Sequence, residues 1–147
     1  MITRLDITKG SLKLSEFLTN PSPDHIIVAD QVLKYVVLTK YLVIEFNRKV
    51  TSKNIFLGSS DSVFVDDHST RYSSYGYCFK LFRGVIDFKV IKGKTVTLLS
   101  TEAKLLALTM TAKEYIRWLR FFTQIQFKID DNTKVYYDNL QTIRLLK

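Results

Sequence analysis

The spacing of apolar residues changes along this chain, and each rhythm predicts a different kind of element. In the first fifty residues the spacing is helical. Leu5, Leu12, Leu14, Phe17 and Leu18 give one rough apolar face. Asn20-Pro21-Ser22-Pro23 ends that helix, because proline has no N–H to donate and restricts the residue before it. Ser22 or Asp24 then caps a second helix, in which Ile26, Ile27, Ala29, Val32, Leu33, Val36 and Val37 recur at steps of three and four. Tyr41 to Phe46 is rich enough in β-branched and aromatic residues to be a strand or the end of that helix.

From about Lys53 the pattern turns to strands. Ile55–Leu57 and Val63–Val65 flank the polar run Gly58-Ser59-Ser60-Asp61, and Tyr75–Phe82 and Val85–Ile91 flank Arg83-Gly84, which reads as a tight hairpin turn. Lys92-Gly93-Lys94 closes the second arm. A long helix follows, with Ser100 as its N-cap, Glu102 in its first turn and Leu105, Leu108, Ala112, Tyr115, Ile116, Leu119 and Phe122 along one stripe. After a turn at Asp130-Asp131-Asn132, Lys134–Tyr137 reads as a short strand and Leu140–Lys147 as the start of a helix. Strand, hairpin, long helix, strand and short helix make an α+β layout with helices packed on a mixed sheet.

Composition narrows the partners. A hydrophobic fraction of 46% supports a real core and excludes wholesale disorder. The net charge of +8 calls for a polyanion, either nucleic acid or an acidic membrane surface. The basic residues are dispersed, which suits a folded binding surface better than a disordered arm. The most apolar stretch, Tyr35 to Phe46, is broken by Lys40 and too short to span a bilayer, so no membrane partner is expected. One cysteine, Cys78, excludes an internal disulfide and a Cys-rich zinc site. The first ten residues lack the apolar core of a signal peptide. These features together predict an intracellular protein, cytoplasmic or nuclear and not secreted.

Three acids stand at informative places: Asp61 in or beside the first strand, Glu102 at the helix start and Asp138 at the end of Val135-Tyr136-Tyr137. Carboxylates so placed can converge over a sheet and hold a hard divalent cation such as Mg²⁺, and two such ions can act in phosphodiester hydrolysis. Each has a plainer reading. Glu102 complements the positive end of a helix, Asp138 or Asn139 caps the last helix, and Asp61 is a loop aspartate. His25 and His68 are too few and too far apart for a zinc site.

The order of motifs resembles copia-type retrotransposon polyproteins. Gly58-Ser59-Ser60-Asp61, continuing through Arg71-Tyr72-Ser73-Ser74-Tyr75-Gly76-Tyr77, resembles the opening of their RNase H domain. Lys94 to Ala103 resembles the motif leading into its first helix, continued by Ala112-Lys113-Glu114 and Trp118-Leu119-Arg120. Val135-Tyr136-Tyr137-Asp138-Asn139 resembles the third acidic motif. Upstream, Thr3-Arg4-Leu5-Asp6-Ile7, Leu14-Ser15-Glu16-Phe17, Asn20-Pro21, His25 and Val32-Leu33-Lys34-Tyr35 resemble the end of the preceding reverse transcriptase.

The resemblance implies a helical remnant over residues 1–50 and an incomplete RNase H-like domain, truncated at its C-terminus, over 55–147. It puts the catalytic, metal-holding carboxylates on Asp61, Glu102 and Asp138. It also implies Mg²⁺ or Mn²⁺ as cofactor, an RNA–DNA hybrid or other nucleic acid as partner, and the rest of a polyprotein as another. The family's activity is hydrolysis of the RNA strand of such hybrids. Departures from the pattern point the other way: Val63 replaces a second acid, Phe64 a tryptophan and Leu5 a proline, and a fourth carboxylate is expected beyond Lys147. Weak or absent catalysis is expected, the alternative being a non-catalytic nucleic-acid-binding or interaction remnant. Phe64-Val65-Asp66-Asp67 is similar to the aspartate hairpin of a polymerase palm, but polar residues follow it and its order in the chain is wrong.

Overall fold

Two prolines and a serine set the layout of the N-terminal residues. Pro23 occupies the first helical position, where its missing N–H costs nothing. Ser22 is the N-cap: its Oγ accepts from the His25 backbone N–H, and its own N–H donates to His25 Nδ1 at 3.1 Å. That is a capping box closed by histidine rather than by an acid. The structure, a computed structural model, describes residues 4–47, 55–63, 72–96, 99–129 and 134–137. They belong to two compact units, Met1–Ile44 and Glu45–Lys147.

In the first unit a 3₁₀ turn, Leu5–Ile7, leads into α1 (Thr8–Ser15), and α2 spans Pro23–Leu38. Phe17 stacks on His25 at 3.9 Å between ring centroids, closing the corner between the helices. Arg4 ties the chain start to the end of α2. Its guanidinium donates to both Asp6 carboxylate oxygens, at 3.0 and 2.8 Å, to Thr39 Oγ1 at 2.6 Å and to the Thr39 carbonyl at 3.3 Å, and lies over the Tyr35 ring. The Arg4 hydrogen bonds hold the Asp6 carboxyl down at about 2, against an ordinary 3.8. Tyr41 to Phe46 is neither strand nor helix: α2 stops at Leu38, and a turn follows in which the Thr39 N–H donates to the Tyr35 carbonyl.

In the second unit β1 (Phe56–Val63), β2 (Tyr72–Leu81), β3 (Gly84–Val96) and β4 (Lys134–Tyr137) form one mixed sheet in the order β3-β2-β1-β4. β1 runs antiparallel to β2 and parallel to β4. Between β3 and β4 lies α3, Ser100–Gln124. The α+β class with a mixed sheet is therefore as the residue pattern predicted. Asp130–Asn132 and Leu140–Lys147, expected as a turn and a helix, lie outside the described residues.

Several boundaries differ from expectation for physical reasons. The polar run Gly58–Asp61 does not interrupt a strand; it lies within β1, with Gly58, Ser59 and Ser60 paired on both sides and Asp61 paired with Gly76 of β2. Side-chain size decides this, because a Cβ at Gly58 would stand 2.9 Å from the ring of Phe79, which is fully buried. Ser59 donates its hydroxyl to the Cys78 carbonyl, so its polarity is absorbed inside the sheet. The hairpin turn is Phe82-Arg83, one residue earlier than Arg83-Gly84, and both adopt left-handed backbone (φ 49° and 69°). Gly84 instead begins β3 opposite Leu81, and β3 runs on through Lys92-Gly93. β2 begins three residues before Tyr75. The N-cap of α3 is Leu99 rather than Ser100, and no side chain caps it.

The core lies between α3 and one face of the sheet. Phe56, Tyr77, Phe79 and Phe122 form its centre, with Met110, Tyr115, Trp118 and Phe127 around it. The buried stripe of α3 is Ala103, Ala107, Thr111 and Phe122. Ala112 and Ile116, expected inside, are exposed, because the helix is rotated to set its small residues against Tyr75. Thr111 returns its hydroxyl to the Ala107 carbonyl at 2.8 Å, so no buried donor is wasted. Trp118 donates Nε1–H to Asp87 at 3.0 Å and anchors the helix to β3.

Three outcomes follow from this packing. Phe79→Ala, removing the ring at the centre of the core, lowers the unfolding free energy by about 3–5 kcal/mol in urea titrations; a loss under about 1 kcal/mol would place the core elsewhere. Arg83→Gly relieves a left-handed side-chain residue and raises stability by about 0.5 kcal/mol, part of the gain being offset by the freer unfolded chain. The Asp6 carboxyl, followed by NMR, titrates near 2 and returns toward 3.8 in Arg4→Ala. Since its folded pKa is depressed, the clamp's contribution is present above 3.8 and fades as pH falls through about 2.

Candidate functional site

The pleat fixes where each candidate side chain goes, since successive residues alternate between faces. Phe56, Gly58, Ser60 and Ser62 share the α3 side of β1, and Leu57, Ser59, Asp61 and Val63 share the other. Asp61 is exposed, and its Oδ1 accepts the Ser62 backbone N–H at 2.7 Å. Glu102 is exposed in the first turn of α3. Ala103, next to it, packs against Tyr75, and Tyr75 pairs with Ser62, which follows Asp61. Asp61 and Glu102 therefore belong to one end of the sheet and come to it from opposite sides.

Asp138 lies outside the described residues, as do Asp66, Asp67 and His68. β4 stops at Tyr137, which pairs with Ser60, the residue before Asp61. Among the described residues no three His, Cys, Asp or Glu side chains gather into a group able to hold a metal. His25 is used in the α2 capping box.

Other chemistry nearby is mostly structural. Burial, then Asp87 and Glu114, push the Tyr77 phenol up to about 12, so it stays protonated. Burial also raises the thiol of Cys78 on the open face, which makes it a poor nucleophile. The Ser60 and Ser62 hydroxyls are buried on the α3 side without a hydrogen-bond partner among the described residues. In the first unit an open groove of about 320 Å³ runs between α1 and α2, lined by Ile7, Gly10, Val28, Gln31 and Val32, with Asp6 and Tyr35 at one end. Its charge is already neutralised by Arg4.

No family model matches the chain, and no solved structure matches it. Two relatives do. A retrovirus-related Pol polyprotein from transposon TNT 1-94 of Nicotiana tabacum is 34% identical over 145 residues, 99% of this chain and 11% of the polyprotein. The α+β unit and the helices before it are thus related to a retrotransposon Pol polyprotein, of which the chain spans a small part. Secreted RxLR effector protein 161 of Plasmopara viticola is 35% identical over 124 residues, 84% of this chain and 85% of the effector. The chain belongs to the family of that effector.

This relative corrects one expectation. The reading as an intracellular protein, cytoplasmic or nuclear, is overturned by kinship with an effector named as secreted. The reasoning failed because a single cysteine is compatible with an oxidising compartment as well as a reducing one. No described helix is long and apolar enough to cross a membrane. The R-x-L-R pattern in the effector's name occurs here as Arg117-Trp118-Leu119-Arg120, within α3.

Proposed function

We propose that residues 55–147 form an incomplete RNase H-like domain of copia type, descended from an enzyme that cleaved the RNA strand of RNA–DNA hybrids, and that it binds nucleic acid with weak or no hydrolysis of its own. The residues before it descend from the end of a reverse transcriptase. One observation carries this reading: β4 lies parallel to β1 and pairs Tyr137 with Ser60, so the chain positions just before Asp138 and just before Asp61 are neighbours. Glu102 reaches the same end of the sheet from α3. Kinship with a Pol polyprotein over nearly the whole chain supports it.

Asp61, Glu102 and Asp138 offer hard carboxylate oxygens, the donor type that Mg²⁺ or Mn²⁺ takes. A divalent ion held there would supply charge stabilisation at a phosphodiester. Residues of this chain weaken that chemistry: Val63, on the same face as Asp61, brings no oxygen where the family pattern has an acid. Mg²⁺ demands near-ideal geometry, so a site short of one donor loses it first. Dispersed Lys and Arg suit a hybrid recognised through backbone and shape.

The effector relative favours a second reading, a secreted binding or interaction module without catalysis. The Arg117–Arg120 segment is folded helix here. Arg117 pairs with Glu114 at 3.0 Å, and Trp118 is held by Asp87.

A cleavage assay on a labelled hybrid separates the two. Slow cleavage, greater with Mn²⁺ than Mg²⁺ and abolished by Asp61→Asn, supports the RNase H descent. Hybrid binding that falls steeply with salt but without cleavage supports nucleic-acid binding with catalysis lost, under either reading. Robust Mg²⁺-dependent cleavage would overturn the weak-enzyme reading, and no binding at low salt would remove nucleic acid altogether.

A further inference from the structure

The sheet has a second face. α3 covers one side, and the register defines what stands on the other. Val85, Lys80, Leu57 and Lys134 form one row across the four strands, and Phe88, Cys78, Ser59 and Tyr136 the next. Val90, Gly76 and Asp61 follow, then Lys92, Ser74 and Val63. The middle of the face is small: half-buried Ser59, Cys78 and Gly76 leave a shallow trough between the half-buried ring of Phe88 on β3 and that of Tyr136 on β4, and Ser74 at its end is buried. Tyr136 is 54% exposed. Lys80 and Lys134 are exposed on either side of Leu57, and Lys92 lies over the Tyr72 ring at 6.0 Å.

We infer that this open face binds a single strand of nucleic acid, with bases stacking on Tyr136 and Phe88 and phosphates meeting Lys80, Lys134 and Lys92. The inference rests on the nucleic-acid-binding reading above and adds the surface and the strand state. Three strand spacings separate the two rings, about 14 Å, so they take bases that are not adjacent. Splayed bases stack on exposed rings whatever their identity, whereas a duplex keeps its base faces to itself. Charge agrees: among the described residues of the face three lysines stand against one acid, Asp61, in the chain half that carries seventeen basic and ten acidic residues. A packed protein partner would have to bury those lysines and Asp61, which is costly without matched counter-charges.

The test uses the full chain and fluorescence anisotropy at low salt. The probes are a labelled oligo(U) and oligo(dT) of about 12 nucleotides and an RNA–DNA hybrid of equal length. Tyr136→Ala is expected to weaken single-strand binding about tenfold, and Lys80→Glu with Lys134→Glu at least as much. Hybrid binding should change by less than about twofold in Tyr136→Ala. Lys113→Glu with Arg120→Glu, on the exposed side of α3, should leave the stacking effect of Tyr136→Ala in place. All these positions are exposed, and far-UV circular dichroism confirms the fold of each variant. Single-strand binding that ignores the face variants overturns the assignment while the hybrid reading stands. Hybrid binding with no single-strand binding does the same. Loss of both ligands in the wild type overturns both readings. Dimerisation abolished by Tyr136→Ala, with no oligonucleotide bound, gives the face to a second copy and overturns it too.

Discussion

Close approach of α3 to the sheet is the constraint on which the second unit depends. Ala103, Ala107 and Thr111 are fully buried, and they let the first half of the helix lie directly on Tyr75. The second half is held off by larger groups, Trp118 and Phe122, which fill the space around Phe56. Phe56 and Phe79 stack at 5.5 Å, and Gly58 leaves the room that Phe79 occupies. A side chain at position 58 or a larger residue at 103 would push helix and sheet apart, and the cost of a misfit in so dense a core is felt at once.

That packing also fixes what is available for chemistry. Because the first turn of α3 is pressed onto the Tyr75–Ser62 rung, Glu102 is delivered to the end of the sheet where Asp61 stands. Because small residues of α3 face the sheet, side chains of β1 to β4 are divided by the pleat: Tyr75, Tyr77 and Phe79 inside on one face, Lys80, Lys92 and Lys134 with Tyr136 and Phe88 on the other. The first unit takes little part in this charge. It holds five basic and four acidic residues, and its Arg4–Asp6 pair is spent on joining the chain start to Thr39 at the end of α2.

Much of this was legible in the residues, and the failures have a common cause. The Ser22 cap, the separation of α1 from α2 before Pro23, the long helix and the strand Lys134–Tyr137 follow from local chemistry, and local chemistry predicted them. The continuity of β1 through Gly58–Asp61 did not, since polar small residues become a strand only when Phe79 and two neighbouring strands are present. The buried stripe of α3 was misread because Leu, Ile and Tyr outweigh Ala in any hydrophobic count, although Ala is what close contact needs. The hairpin was set one residue late because glycine was given the left-handed position that Phe82 and Arg83 take. Of the candidate site, Asp61 and Glu102 were legible by position. Their approach from opposite sides was not, because it depends on the face that Phe56 chooses. The lysine and ring rows of the open face had a signal in the alternation Lys134, Tyr136 and Lys80, Cys78, but only the register between strands aligns them.

The acidic position and the open face are physically continuous. Asp61 stands in the third row of that face, beside Gly76 and two rows from the lysine pair Lys80 and Lys134. A single strand laid along the trough from the lysine row passes Tyr136 and Phe88 before it reaches Asp61. Gly76 leaves the carboxylate unshielded on one side. The lysines attract a phosphate backbone and Asp61 repels it, so the field along the trough has a direction as well as a strength. In the proposed binding mode, such an arrangement would hold the strand at one end and leave a phosphate facing a carboxylate at the other. That encounter is favourable only with a cation between them. The proposed binding on the face and a cation at Asp61 would therefore be coupled through one bound strand. A chain unable to hold the cation would still carry the lysine and ring rows, on which the proposed affinity for nucleic acid depends.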